Sequence, residues 1–131
     1  MRRGQLLGYL VVALMAPASS FAAEEKKKAG GETYIQIAAI TGTTNKGGGR
    51  RGVLTVECGL DVPNAKLRER ANLLLPRLRA AYVQAVQIYA AGLPNGTAPN
   101  PDYLGVSLQR QTDLLMGGPG ARLLMGAVLV N

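Results

Sequence analysis

The side chains that could carry chemistry in this chain are few, and a cationic loop is the most conspicuous of them. Gly47–Arg51 (GGGRR) joins three glycines to two arginines and directly follows Lys46. A phosphate-binding P-loop would end in Gly-Lys-Ser/Thr and lead into a helix, whereas the alternation that follows here predicts a strand. We therefore favour a mobile hairpin loop, in which Lys46, Arg50 and Arg51 are candidate contacts for a partner.

The single cysteine, Cys58, would need an activating neighbour such as histidine to act as a nucleophile. The chain contains no histidine, which is also the commonest metal ligand and the commonest general base near neutral pH. The sequence therefore predicts a buried, structural thiol at Cys58. A lone cysteine also leaves no second thiol for an intramolecular disulfide.

The carboxylates offer no recognisable acid–base pair. Most of the eight acidic residues fall in a charged leader or at expected helix starts. Hydrolysis by two carboxylates needs a pair held in different environments. We therefore predict a protein that is not an enzyme, with no catalytic residue, no metal site and no cofactor. The acids without another explanation lie on three different predicted elements: Glu57, Glu69 and Asp113.

The first 22 residues have the three-part layout of a secretory signal peptide. Arg2 and Arg3 give a basic start, and an apolar run follows over residues 6–16. Residues 20–22 (SFA) then place small side chains at the first and third positions of a cleavage-type triplet. The apolar run is shorter than the roughly 20 residues of a transmembrane helix, so we expect export and cleavage.

Cleavage would leave a flexible charged leader, residues 23–33, and a single domain, residues 34–131, in the periplasm. The alternative is an inner-membrane anchor formed by an uncleaved N-terminal segment. General secretion is favoured over the twin-arginine route, because the residues around the arginine pair do not fit that motif. The net charge of +7 would fall to +5 without Arg2 and Arg3. A basic surface of this kind can attract anionic lipid headgroups or acidic protein faces, or can simply be solvated, while export argues against nucleic acid. We expect membrane contact only if the signal segment is retained.

Beyond the leader, hydrophobic periodicity predicts a small α+β domain with helices packed on one face of an antiparallel sheet. The predicted strands cover about residues 34–40, 53–60 and 123–130. The predicted helices cover about residues 64–91 and 101–116.

The strand pattern also predicts neighbours and faces. Residues 41–52 are expected to form a long, turn-rich loop between the first two strands. The nearly continuous apolar run at residues 123–130 favours a central position for the last strand. Alternation assigns two sets of side chains to the core face: Ile35, Ile37 and Ala39 from the first strand, and Leu54, Val56, Cys58 and Leu60 from the second.

The helix pattern contains one breaker and one strong start. Pro76 removes a backbone donor in the middle of the first helix, so a short helix before it and a longer one after it are expected. Asn100 and Pro101 are expected to cap and open the second helix. Arg70 and Arg77, seven residues apart, lie on nearly the same helix face, and form either a stripe for a partner or a solvated helix back.

Four segments together share a pattern with a known family. They are residues 34–37 (YIQI), 51–60 (RGVLTVECGL), 61–88 and 123–130, with residues 75–79 (LPRLR) inside the third. On these segments the chain resembles the periplasmic domain of the flagellar basal-body-associated FliL family. In that family, the segment that corresponds to residues 75–79 reads hydrophobic-Pro-x-hydrophobic-Arg. This pattern accounts for a proline inside a predicted helix.

The resemblance implies a fold similar to the stomatin/prohibitin-type domain, self-association into a ring, and contact with stator or basal-body proteins. The family keeps a transmembrane anchor where this chain has a signal peptide, and often has an acid where this chain has Ala80. We therefore expect an exported, non-enzymatic periplasmic interaction protein that supports motor function or motility. The alternative is a structural or assembly factor of another bacterial envelope complex, unrelated to flagella.

Overall fold

The computed structural model describes residues 31–131, and the predicted signal peptide and leader up to residue 30 lie outside the described residues. Three strands form one antiparallel sheet in the order β1-β2-β3, which confirms the predicted α+β class. The helix α2 packs against β1, and α3 packs against β3. The elements in chain order are β1 (Tyr34–Gly47), β2 (Arg50–Asp61), α1 (Ala65–Leu73), α2 (Leu75–Gly92), α3 (Pro101–Met116) and β3 (Arg122–Val130).

The long loop predicted at residues 41–52 is wrong, because β1 and β2 continue through most of it and meet in a two-residue turn. Gly48 and Gly49 have φ values of +59° and +80°, the left-handed pair that a type I′ hairpin turn requires. Glycine adopts this conformation without a steric penalty. The threonines of this stretch suit a strand with one solvated face, so they extend the hairpin instead of ending it.

The central position predicted for β3 is also wrong, since β2 is the middle strand and β3 lies at an edge. The two-residue turn makes β1 and β2 neighbours, which leaves only edge positions for β3, and β3 pairs with the free side of β2. Its side chains Leu123, Met125 and Val128 pack on the core, while Leu129 is 60 % exposed on the opposite face. The apolar run at residues 123–130 therefore does not mean that both faces of this strand are buried.

The expected core face of β2 is confirmed, because Leu54, Val56, Cys58 and Leu60 are all buried. In β1 the expectation holds for Ile35 and Ile37 but is wrong for Ala39, which is exposed. The register shifts between Ile37 and Ile40, so a β-bulge inserts one extra residue and Ile40 takes the buried place. The corrected set of core residues in β1 is Ile35, Ile37 and Ile40.

The predicted break near Pro76 is confirmed as a division into two helices. α1 ends at Leu73, Leu74 has φ −90° and ψ 0°, and Pro76 lies in the first turn of α2, where its missing N–H costs no helical hydrogen bond. At α3, Asn100 Oδ1 accepts a hydrogen bond from Tyr103 N at 3.1 Å. Pro101 occupies the first turn of that helix.

Candidate functional site

The predicted contact residues Lys46 and Arg50 lie on either side of the hairpin turn, at the ends of β1 and β2. The turn is held by Asn45, whose Oδ1 accepts a hydrogen bond from Gly47 N at 2.9 Å. A two-residue turn fixes how far apart the flanking residues lie, so the sequence places these two cations near each other. Both side chains are exposed.

Lys46 and Arg50 line one concavity of about 540 Å³, here called the basic concavity. It lies between the hairpin end, the loop that follows α2, and the end of β3. Lys46 and Arg50 are the charged side chains that line it, and none of the lining side chains is acidic. The other polar residues that line it are Thr44, Asn45, Asn95, Thr97 and Asn131.

The surface of the basic concavity next to Lys46 is formed where Gly52 pairs with Thr44 in the hairpin. A Cβ built on Gly52 would lie 2.6 Å from Thr44 Oγ1 and 2.8 Å from Lys46 Cε. The atom nearest to that Cβ would be Asn131 O, so glycine leaves room for Thr44, Lys46 and Asn131 around this point. Thr44 is 4 % exposed, and its Oγ1 has no hydrogen-bond partner among the residues described. A buried hydroxyl without a partner is uncommon in a folded protein and marks a polar spot on this surface.

The opposite wall comes from the loop between α2 and α3. Thr97 N donates to Pro94 O at 3.1 Å, and this turn brings the Asn95 amide against the hairpin, 2.9 Å from where a Cβ of Gly47 would lie. The far end of the loop is anchored by Tyr89, whose hydroxyl accepts a hydrogen bond from Asn100 N at 2.7 Å. The Lys46 ammonium, the Arg50 guanidinium and the Asn95 amide thus line one concavity, and each can donate hydrogen bonds to an anionic group such as a carboxylate.

The other predicted contact residues divide between the two ends of the sheet. Arg51 lies on the hairpin and shares a neighbouring depression with Arg50. Arg70 and Arg77 are exposed on α1 and α2, and a guanidinium nitrogen of Arg70 lies near Gly117 at the end of α3. That region adjoins the far end of β2, about 35 Å along the strand from the hairpin turn. The structure therefore groups three of the five cations and separates the other two from them.

Two further arginines, Arg68 and Arg79, bind backbone carbonyls. Arg68 Nη1 donates to Val62 O at 2.8 Å, which holds the start of α1 against the end of β2. Arg79 donates to Ala38 O at 2.5 Å and to Ala39 O at 3.3 Å, at the bulge of β1. These arginines stabilise the fold, because carbonyls of irregular backbone need donors.

Cys58 lies on the core face of β2 and is 5 % exposed. Burial raises the pKa of its thiol to about 11, and the nearby Arg79 cation offsets only part of that effect. A thiol with this pKa is protonated at neutral pH, and the thiolate is the reactive form. The position and ionisation of Cys58 fit packing in the core.

Sequence reasoning gave no role to Glu57, which the structure places in a second concavity on the solvent-facing side of the sheet. Its position opposite two β-bulges is what makes it notable. One of these bulges has a signal in the sequence. Ile37 and Ile40 are three residues apart, whereas strict alternation along a strand places core residues two apart.

Within residues 31–131, no three side chains of the His, Cys, Asp or Glu type lie close enough to hold a metal ion. None of the helices in the same range is long and apolar enough to cross a membrane. In comparisons with models of known protein families and with curated proteins, the chain matches none.

Proposed function

We propose that the protein is an exported, non-enzymatic interaction protein of the bacterial envelope, and that its basic concavity holds an acidic segment of a protein partner. The observation that carries the proposal is that Lys46 and Arg50 line one concavity, among whose lining side chains none is acidic. Donors in a concave site act on a bound carboxylate together, whereas isolated surface cations contribute little. The N-terminal signal pattern supports a periplasmic location.

The flagellar part of the proposal rests on the resemblance of four segments to the FliL periplasmic domain. In that reading the partners are stator or basal-body proteins, and the protein supports motor function or motility. Self-association into a ring belongs to the same reading. An assembly role in another envelope complex would use the same basic concavity and differ in the partner.

A charge-reversal experiment tests the contact site. A strain that lacks the protein is complemented with the wild type, with the double variant Lys46→Glu/Arg50→Glu, or with the matched control Arg70→Glu/Arg77→Glu. Each variant changes the charge by the same amount at opposite ends of the sheet. Since like charges across an interface cost several kcal/mol, we expect recovery of the partner complex from envelope extracts to fall at least tenfold for the first variant only.

The outcomes separate the parts of the proposal. Normal swimming and motor torque in the strain without the protein would reject the flagellar role. A stable complex with other envelope proteins, lost in the first variant, would then establish the alternative. Equal recovery of the complex with wild type and with Lys46→Glu/Arg50→Glu would show that the basic concavity is not the contact site.

A further inference from the structure

Glu57 lies on the central strand β2 at the position where both edge strands, β1 and β3, have a β-bulge. On one side, the register passes from Ile37 opposite Cys58 to Ile40 opposite Val56. On the other side, it passes from Met125 opposite Cys58 to Val128 opposite Val56. The extra residues of both strands thus face Glu57, and bulges commonly re-aim backbone and side chains next to functional sites.

Glu57 is the only charged side chain among those that line a concavity of about 360 Å³ on the open face of the sheet. We call this concavity the Glu57 notch. An isolated carboxylate in a recess of a protein with a net charge of +7 creates a local negative potential against a positive background. The polar and small residues that line the notch beside it are Tyr34, Gln36, Ala39 and Gly126.

Two glycines keep the notch open. Tyr34 lies across Gly59, where any Cβ would overlap the phenol ring, so the ring lies against the sheet and forms one wall. A Cβ on Gly126 would lie 3.2 Å from both Glu57 Cβ and Glu57 O, closer than most real contacts, so glycine leaves room for the base of the Glu57 side chain on that side. The recess therefore combines an aromatic ring, a carboxylate and the Gln36 amide.

We propose that the Glu57 notch binds the guanidinium group of an arginine side chain from a protein partner. A guanidinium donates two parallel hydrogen bonds to one carboxylate, and its flat face stacks on an aromatic ring. The Gln36 carbonyl adds an acceptor, and an arginine stem can cover the apolar rim at Leu124. Lysine, a compact point charge, would use the carboxylate but not the ring geometry. This site is separate from the basic concavity and takes a ligand of opposite charge.

The test is an NMR titration of the full, ¹⁵N-labelled chain with N-acetylarginine amide. N-acetylcitrulline amide, which has nearly the same shape but is neutral, serves as the matched ligand. We expect the arginine compound to shift the backbone amides around Tyr34, Glu57 and Gly126, with binding about fivefold tighter than that of the citrulline compound, as for a modest ion pair. Glu57→Gln should remove this difference, while Glu69→Gln, an exposed acid on α1, should keep it.

Gly126→Ala provides a second variant that keeps the carboxylate but crowds the Cβ and the backbone carbonyl of Glu57, and so displaces that side chain. We expect weaker arginine binding in this variant, with amide spectra elsewhere in the domain unchanged. Equal binding of the arginine and citrulline compounds, full arginine binding by Glu57→Gln, or shifts confined to other surfaces would each overturn the proposal. Because Lys46 and Arg50 are unchanged in these variants, the outcome is independent of the basic concavity.

Discussion

At the scale of residues, a buried hydroxyl pair joins α2 to α3. Tyr82 and Thr112 are both fully buried, and their hydroxyl groups are hydrogen-bonded to each other. Thr112 Oγ1 also donates to Leu108 O at 2.8 Å. Because a threonine hydroxyl has one proton, that bond makes Tyr82 the donor to Thr112. Each hydroxyl group therefore has a hydrogen-bond partner. Thr112 would keep its bond to Leu108 O without Tyr82, whereas the Tyr82 hydroxyl depends on Thr112.

This inequality gives a prediction for two conservative variants. Tyr82→Phe removes a donor and leaves Thr112 bonded to Leu108, so it should lower the free energy of unfolding by about 1 kcal/mol. Thr112→Val leaves the buried Tyr82 hydroxyl without a partner and should cost more, about 1–3 kcal/mol. Denaturant unfolding of both variants checks the order. Equal losses, or a larger loss for Tyr82→Phe, would contradict this assignment of donor and acceptor.

At the scale of elements, both edge strands are protected by the same device. Each contains a bulge, and a side chain of the helix that covers it forms hydrogen bonds with the backbone of the strand or of the residue next to it. Arg79 donates to two carbonyls of β1. The Gln109 amide donates to Ala121 O at 2.8 Å and accepts from Leu123 N at 2.7 Å, as a neighbouring strand would. Free edge groups invite pairing with other chains, and this arrangement occupies some of them.

Arg79 and Arg77 form a matched pair on α2 for testing this role. Arg79→Ala removes the donors to Ala38 O and Ala39 O, and should lower the free energy of unfolding by about 1.5–3 kcal/mol, as for hydrogen bonds to a charged group. Arg77→Ala removes an exposed cation and should change it by less than about 0.5 kcal/mol. Hydrogen exchange at β1 supplies a second readout. Similar losses in the two variants would show that the carbonyl contacts do not matter.

The elements also show which features sequence can predict. Helix ends at Pro76 and Asn100 and the core face of β2 follow from local chemistry and periodicity, and each appears where expected. The position of β3 and the bulges depend on which strands become neighbours, which is a non-local property. The basic concavity could be predicted only in part. The sequence pattern indicates Lys46 and Arg50, but not that the loop around Asn95 forms the opposite wall.

At the scale of the whole molecule, the core sets the response of stability to alkaline pH. Burial raises the pKa of Cys58 to about 11 and that of Tyr82 to about 12, against ordinary values of 9.0 and 10.0. In each case the unfolded chain loses its proton at lower pH than the folded one. Stability from these groups is therefore complete below pH 9 and declines as the pH rises through this range.

The expected result is a fall in the free energy of unfolding of about 1 kcal/mol between pH 9 and 10, mostly from Cys58. Urea unfolding at a series of pH values measures it. Cys58→Ala will be less stable at every pH because of the cavity, but its stability should decline less steeply over this interval. An identical slope in the two proteins would show that Cys58 is not the group responsible.

The two proposed contact sites lie on opposite faces of one sheet. The basic concavity is on the side of the helices, next to the loop after α2, and the Glu57 notch is on the open side. Occupation of one leaves the other accessible. Together, the two proposed sites would let one domain hold an acidic and a basic partner at the same time.

The two bulges opposite Glu57 can also be read in terms of insertions and deletions. Shortening β1 by one residue at Ala39 would restore strict alternation and keep Ile37 and the residue now at 40 on the core face. Shortening β3 at Gly126 would do the same for Met125 and Val128, because a strand repeats every two residues. The core therefore does not require either extra residue. Because both extra residues lie opposite Glu57, their effect on the backbone falls around that side chain.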